Sequence, residues 1–73
     1  HTQPSTHIRG HTMIHTSDNL ASRSWYSADS AELTRFGDCV RWKLNWFDGA
    51  FVYCLEDTED QARAELRRYG FDA

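Results

Sequence analysis

Seventy-three residues is about half a typical domain, so a single folding unit is expected, with a core that contributes only about 3 to 5 kcal/mol net. A net charge of −3 and a pI near 5.7 leave no global basic field for capturing nucleic acid, so any such binding must come from a local basic face. No apolar run approaches the roughly 18 residues of a membrane helix and the N-terminus lacks a secretory signal's basic-then-apolar order, so the chain reads as soluble and cytoplasmic.

Residues 1–24 hold all four histidines, His1, His7, His11 and His15, are rich in Ser and Thr, and offer few large apolar groups. That composition cannot bury much surface and predicts a flexible leader. Met13 opens a plausible start, so the residues before it are read as non-native or upstream sequence. A single small α+β domain is expected over residues 25–73, opened by Trp25 and Tyr26 as a short extended segment packed on a β-hairpin near 39–56.

Asp29 with Glu32 has the spacing of a capping box, and Gly37 suits the residue after a helix, so a short helix is predicted near 30–36. From Cys39 to Trp46 the pattern alternates, with Val40, Trp42, Leu44 and Trp46 on one side and Arg41, Lys43 and Asn45 on the other, as in a half-buried strand. Asp48-Gly49 is the strongest short hairpin signal, and a two-residue type I′ turn there would make Phe51, Tyr53 and Leu55 the core face of the returning strand. In that register Trp46 faces Phe51, Leu44 faces Tyr53, Trp42 faces Leu55, and Arg41 pairs with Glu56 on the outer face. The outer strip is then Phe47, Ala50, Val52 and Cys54 beside Lys43.

A C-terminal helix is predicted over about 58–69. Thr58 and Gln61 form a capping box, Glu59 and Asp60 suit the positive end of the helix dipole, and Ala62, Leu66 and Tyr69 make an apolar stripe. Gly70 followed by Phe71 matches a Schellman stop. The fold class is therefore α+β: a small antiparallel sheet built on the hairpin near 39–56, packed against this helix.

Cys39 and Cys54 form no CxxC pair. In the expected register Cys39 lies roughly 13 Å from the residue facing Cys54, at about 3.3 Å per strand residue, too far for a bridge. Neither has a histidine nearby to serve as base, and the acidic run Glu56, Asp57, Glu59 and Asp60 is accounted for by the helix start, so no enzyme and no cofactor is expected. His7, His11 and His15 recur every four residues and are the candidate metal ligands for Zn²⁺ or Ni²⁺. Gly10 and the β-branched Ile8, Thr12, Ile14 and Thr16 argue against the helix that would gather them.

Three Trp, three Tyr and four Phe in so short a chain exceed what one hairpin and one helix can hide. The leading expectation is a small non-enzymatic interaction or regulatory protein of a prokaryote or phage. It would bind a protein partner, or a second copy of itself, through Phe47, Val52, Lys43 and Arg41. The alternative is a nucleic-acid-binding module using Arg41, Lys43, Asn45, Arg63 and Arg67.

Overall fold

A computed structural model describes residues 14–72. Four antiparallel strands, β1 (Ile14–Thr16), β2 (Ser30–Phe36), β3 (Cys39–Asn45) and β4 (Phe51–Glu56), form one sheet in the order β1-β4-β3-β2. The helix α1 (Glu59–Arg68) packs on one face of that sheet. Short 3₁₀ turns at Asp18–Leu20 and Trp25–Ser27 carry the chain from β1 to β2.

The helix forms where expected. Thr58 Oγ1 accepts the Gln61 N–H at 3.2 Å while Gln61 Oε1 accepts the Thr58 N–H at 3.2 Å, which completes the capping box. Gly70, at φ 94°, donates to the Arg67 carbonyl, and Phe71 donates to Leu66 at 2.9 Å, the two bonds of a Schellman motif. Ala62 and Leu66 are buried against Val40, Trp42 and Leu44, and Tyr69 lies 5.9 Å from the Trp42 ring.

The segment 30–36 is a strand rather than a helix. Its side chains favour helix intrinsically, but pairing with β3 over seven residues outweighs a weak local preference. The two groups that would have capped a helix are used across the sheet instead. Asp29 Oδ2 accepts the Phe47 N–H at 2.8 Å, and Glu32 Oε2 accepts from Asn45 Nδ2 at 2.9 Å. Gly37, at φ 54°, occupies the first position of a two-residue hairpin turn between Phe36 and Cys39, where only a residue free of Cβ sits without strain. Among the described strands β2 is an edge, and it carries the charges of Glu32 and Arg35.

The β3–β4 connection is a three-residue loop, and this shifts the predicted register by one. Trp46 N–H donates to the Ala50 carbonyl at 3.0 Å and Gly49 N–H to the Trp46 carbonyl at 3.1 Å, with positive φ at Gly49 (89°) but not at Asp48. Leu44 therefore faces Val52, Trp42 faces Cys54, and Val40 faces Glu56. A slip of one residue exchanges the faces of the whole strand. Ala50, Val52 and Cys54 belong to the core, while Phe51, Tyr53 and Leu55 point outward. Glu56 is buried rather than paired with Arg41, and its carboxylate accepts from Trp42 Nε1 at 3.1 Å.

The domain also starts earlier than residue 25. β1 pairs Ile14, His15 and Thr16 with Cys54, Tyr53 and Val52, and Leu20 is buried in the core. Ser17 fastens this segment, with its backbone N–H donating to the Phe51 carbonyl at 3.0 Å and its Oγ accepting the Phe51 N–H at 2.9 Å. Trp25 and Tyr26, in a 3₁₀ turn rather than an extended segment, pack against Tyr69, and Trp25 also against Trp42. Trp46 Nε1 donates to Ser27 Oγ at 3.0 Å, so the Trp25–Ser27 turn is latched to the hairpin. Among the described residues, no helix is long and apolar enough to cross a membrane.

Candidate functional site

Leu20, Trp25 and the helix all pack on the inner face, so among the described residues no element covers the outer face of the sheet. Register places His15, Phe51, Tyr53, Leu55, Arg41, Lys43, Asn45 and Phe36 on that face. The rings are ordered. His15 stacks on Tyr53 with centroids 4.7 Å apart and planes 18° from parallel, and Phe51 follows Tyr53 at 6.2 Å and again 18°. Cations from β3 lie across them: Arg41 Cζ is 5.2 Å from the Tyr53 centroid and 5.0 Å from Phe36, and Lys43 Nζ is 4.8 Å from Phe51.

The charges on the two faces differ in how they are balanced. Arg23 is paired with Asp48, Arg35 and Arg63 with Glu59, and Arg68 with Glu65. Arg41 and Lys43 have no carboxylate partner among the described residues, and the Arg41 Nε is buried without an acceptor. Glu32 sits opposite Lys43 in register, yet its carboxylate turns to Asn45. An open pocket of about 280 Å³, lined by Phe36, Arg41, Tyr53 and Leu55, lies on this face. A larger hollow of about 400 Å³ between β2 and the helix is lined by Ala31, Leu33, Leu66 and Phe71 with charges of both signs, and presents no single-sign field.

The expected protein-binding set is divided by this geometry. Arg41 and Lys43 are on the open face, Phe47 is 93% exposed at the tip of the hairpin loop, and Val52 is fully buried in the core. The nucleic-acid set is divided too. Arg41, Lys43 and Asn45 share the outer face, whereas Arg63 and Arg67 belong to the helix on the other side of the sheet, and Arg63 is occupied by Glu59. Of the metal candidates His7, His11 and His15, the first two lie outside the described residues. No metal-binding cluster of His, Cys, Asp or Glu occurs among the described residues, and His15 stacks on Tyr53. Cys39 and Cys54 form no disulfide and lie on opposite faces of the sheet. Sequence reasoning gives no signal for Phe36 at this face, names His15 only as a metal candidate, and points the legible alternation of Phe51 and Tyr53 to the core side.

The loop that carries Phe47 is pinned. Arg23 donates both guanidinium nitrogens to Asp48, at 2.9 and 2.8 Å, and Asn19 Nδ2 donates to the Asp48 carbonyl at 3.2 Å. The Arg23 hydrogen bond is the main reason the Asp48 carboxyl titrates at about 2 rather than at its ordinary 3.8. A depressed carboxyl stabilises the fold above its unfolded value, and that contribution is lost as pH falls through the folded value. The stability advantage of the wild type over Asp48→Asn should therefore be constant above about pH 5 and shrink toward pH 2, followed by urea unfolding at each pH. An advantage independent of pH would mean that the ion pair contributes nothing to stability.

No protein-family model, curated protein or solved structure matches this chain.

Proposed function

We propose that this chain is a non-enzymatic nucleic-acid-binding module that works with the outer face of its sheet. The observation that supports this is the charge balance: the cations at the centre of the outer face, Arg41 and Lys43, have aromatic rings for neighbours and no carboxylate partner among the described residues. Basic side chains interleaved with aromatic ones on an open sheet suit a ligand that is both anionic and rich in π surface. The strip that favoured a protein partner loses Ala50, Val52 and Cys54 to the core. Catalysis is not part of the reading, because Cys54 and Glu56 are buried against Trp42, and Glu59 is engaged by Arg35 and Arg63. Two cysteines with no disulfide between them suit a reducing compartment such as the cytoplasm.

The test is fluorescence anisotropy with labelled single-stranded and duplex DNA and RNA of random sequence, over a salt series. Two phosphate contacts predict a slope of log affinity against log salt of about −1.4 for single strands and about −1.8 for duplex, and Arg41→Glu with Lys43→Glu should weaken binding at least about tenfold and remove that slope. Unchanged binding in that variant would reject the outer face as the site.

A second reading, a protein partner, is favoured by Phe47 alone. A fully projecting Phe on a loop held by Asp29, Asn19 and Arg23 is a preorganised anchor of the kind that fills a partner's pocket. A chain that binds neither form of nucleic acid would give this reading precedence.

A further inference from the structure

We infer that the ligand is single-stranded and is held by stacking, with one base on each of two ring–cation units, Phe51 with Lys43 and Tyr53 with Arg41; this rests on the nucleic-acid reading above. The units are equivalent by construction. Each pairs a β4 ring with the β3 cation diagonally across the ladder, and the ring centroids are 6.2 Å apart. A nucleotide strand repeats the complementary elements, a flat base and a phosphate, once per residue. His15 prolongs the row beyond Tyr53, and an open pocket lined by Phe36, Arg41, Tyr53 and Leu55 lies beside the row, with the Arg41 guanidinium against the Phe36 and Tyr53 rings.

A duplex fits this face poorly. Its bases are already stacked on one another, and what it shows a protein is phosphate and the hydrogen-bonding edges of base pairs. Phe36, Phe51 and Leu55 have nothing to offer those edges, and Asn45, the amide best suited to reading one, is tied to Glu32. With only two cations, phosphate neutralisation contributes little, and the half-buried rings of Phe51 and Tyr53 supply the larger share of the contact.

The experiment compares three labelled probes on the wild-type chain by anisotropy: a short thymidine strand, an abasic strand of equal length and charge, and a hairpin duplex. The thymidine strand should bind at least about tenfold tighter than either of the others. Phe51→Leu with Tyr53→Leu should reduce thymidine affinity to the abasic level while leaving the salt slope in place, whereas Arg41→Gln with Lys43→Gln should flatten the slope by about 1.4. Circular dichroism checks that each variant is folded, and the three-probe comparison needs no variant at all. Equal affinity for thymidine and abasic strands overturns stacking but leaves a phosphate-binding face standing. Tighter binding of the duplex overturns the single-strand inference in the same way. Failure to bind any probe overturns the nucleic-acid reading itself.

Discussion

Val52→Asp should unfold the domain, and Phe47→Asp should leave it folded. The two positions are equivalent members of one outer strip when read from sequence. In the fold, Val52 has no exposed surface and sits directly opposite Leu44, itself fully buried, whereas Phe47 is 93% exposed. A carboxylate at Val52 would be buried without a partner and would also remove apolar contact, a cost of several kcal/mol against a net stability of about 3 to 5 kcal/mol. Phe47→Asp should change stability by no more than about 0.5 kcal/mol. Circular dichroism and thermal melts of the two single variants suffice. A well-folded Val52→Asp chain would mean that β4 pairs one residue out of register, with Val52 on the surface, and the outer-face site would then have to be given up.

The buried carboxylate of Glu56 provides the second test. It lies at the end of β4, is 3% exposed, and accepts from Trp42 Nε1 at 3.1 Å, while the Trp42 ring packs on Trp25 and Tyr69. Trp42→Phe removes the indole donor and part of the ring that fills the space between sheet and helix, and should cost about 2 to 4 kcal/mol by urea unfolding. Glu56→Gln keeps an acceptor oxygen for the indole and should cost nearer 1 kcal/mol. Combining the two should give a coupling energy of about 1 kcal/mol, because Trp42→Phe removes the bond that Glu56→Gln weakens. Strictly additive effects would show that the indole and carboxyl do not depend on one another.

Much of the fold was legible because several local signals agreed. Around α1, Thr58, Gln61, Gly70 and Phe71 specify both ends through bonds that close within a few residues, so no distant partner can overrule them. β3 was legible for a related reason. Its large apolar groups are confined to alternate positions, so only one face could be buried. β2 was not, since Ala31, Glu32, Leu33 and Arg35 prefer helix and the ladder with β3 that overrides them is a tertiary contact. Nor was β1, whose three residues acquire meaning only by pairing with β4.

The candidate site turned on a single residue of loop length. From Phe51 to Leu55 both faces of β4 carry apolar side chains, so alternation cannot say which face is the core. A two-residue turn would have buried Phe51 and Tyr53 and exposed Val52; the three-residue loop, with Gly49 in the left-handed region and Asp48 held by Arg23, does the reverse. The sequence by itself determined the class of fold, the helix and the position of the hairpin, because these follow from bonds and periodicities local to a few residues. The tertiary structure alone decided which aromatic residues stand beside Arg41 and Lys43, because that depends on how small Ala50, Val52 and Cys54 fit beneath the helix.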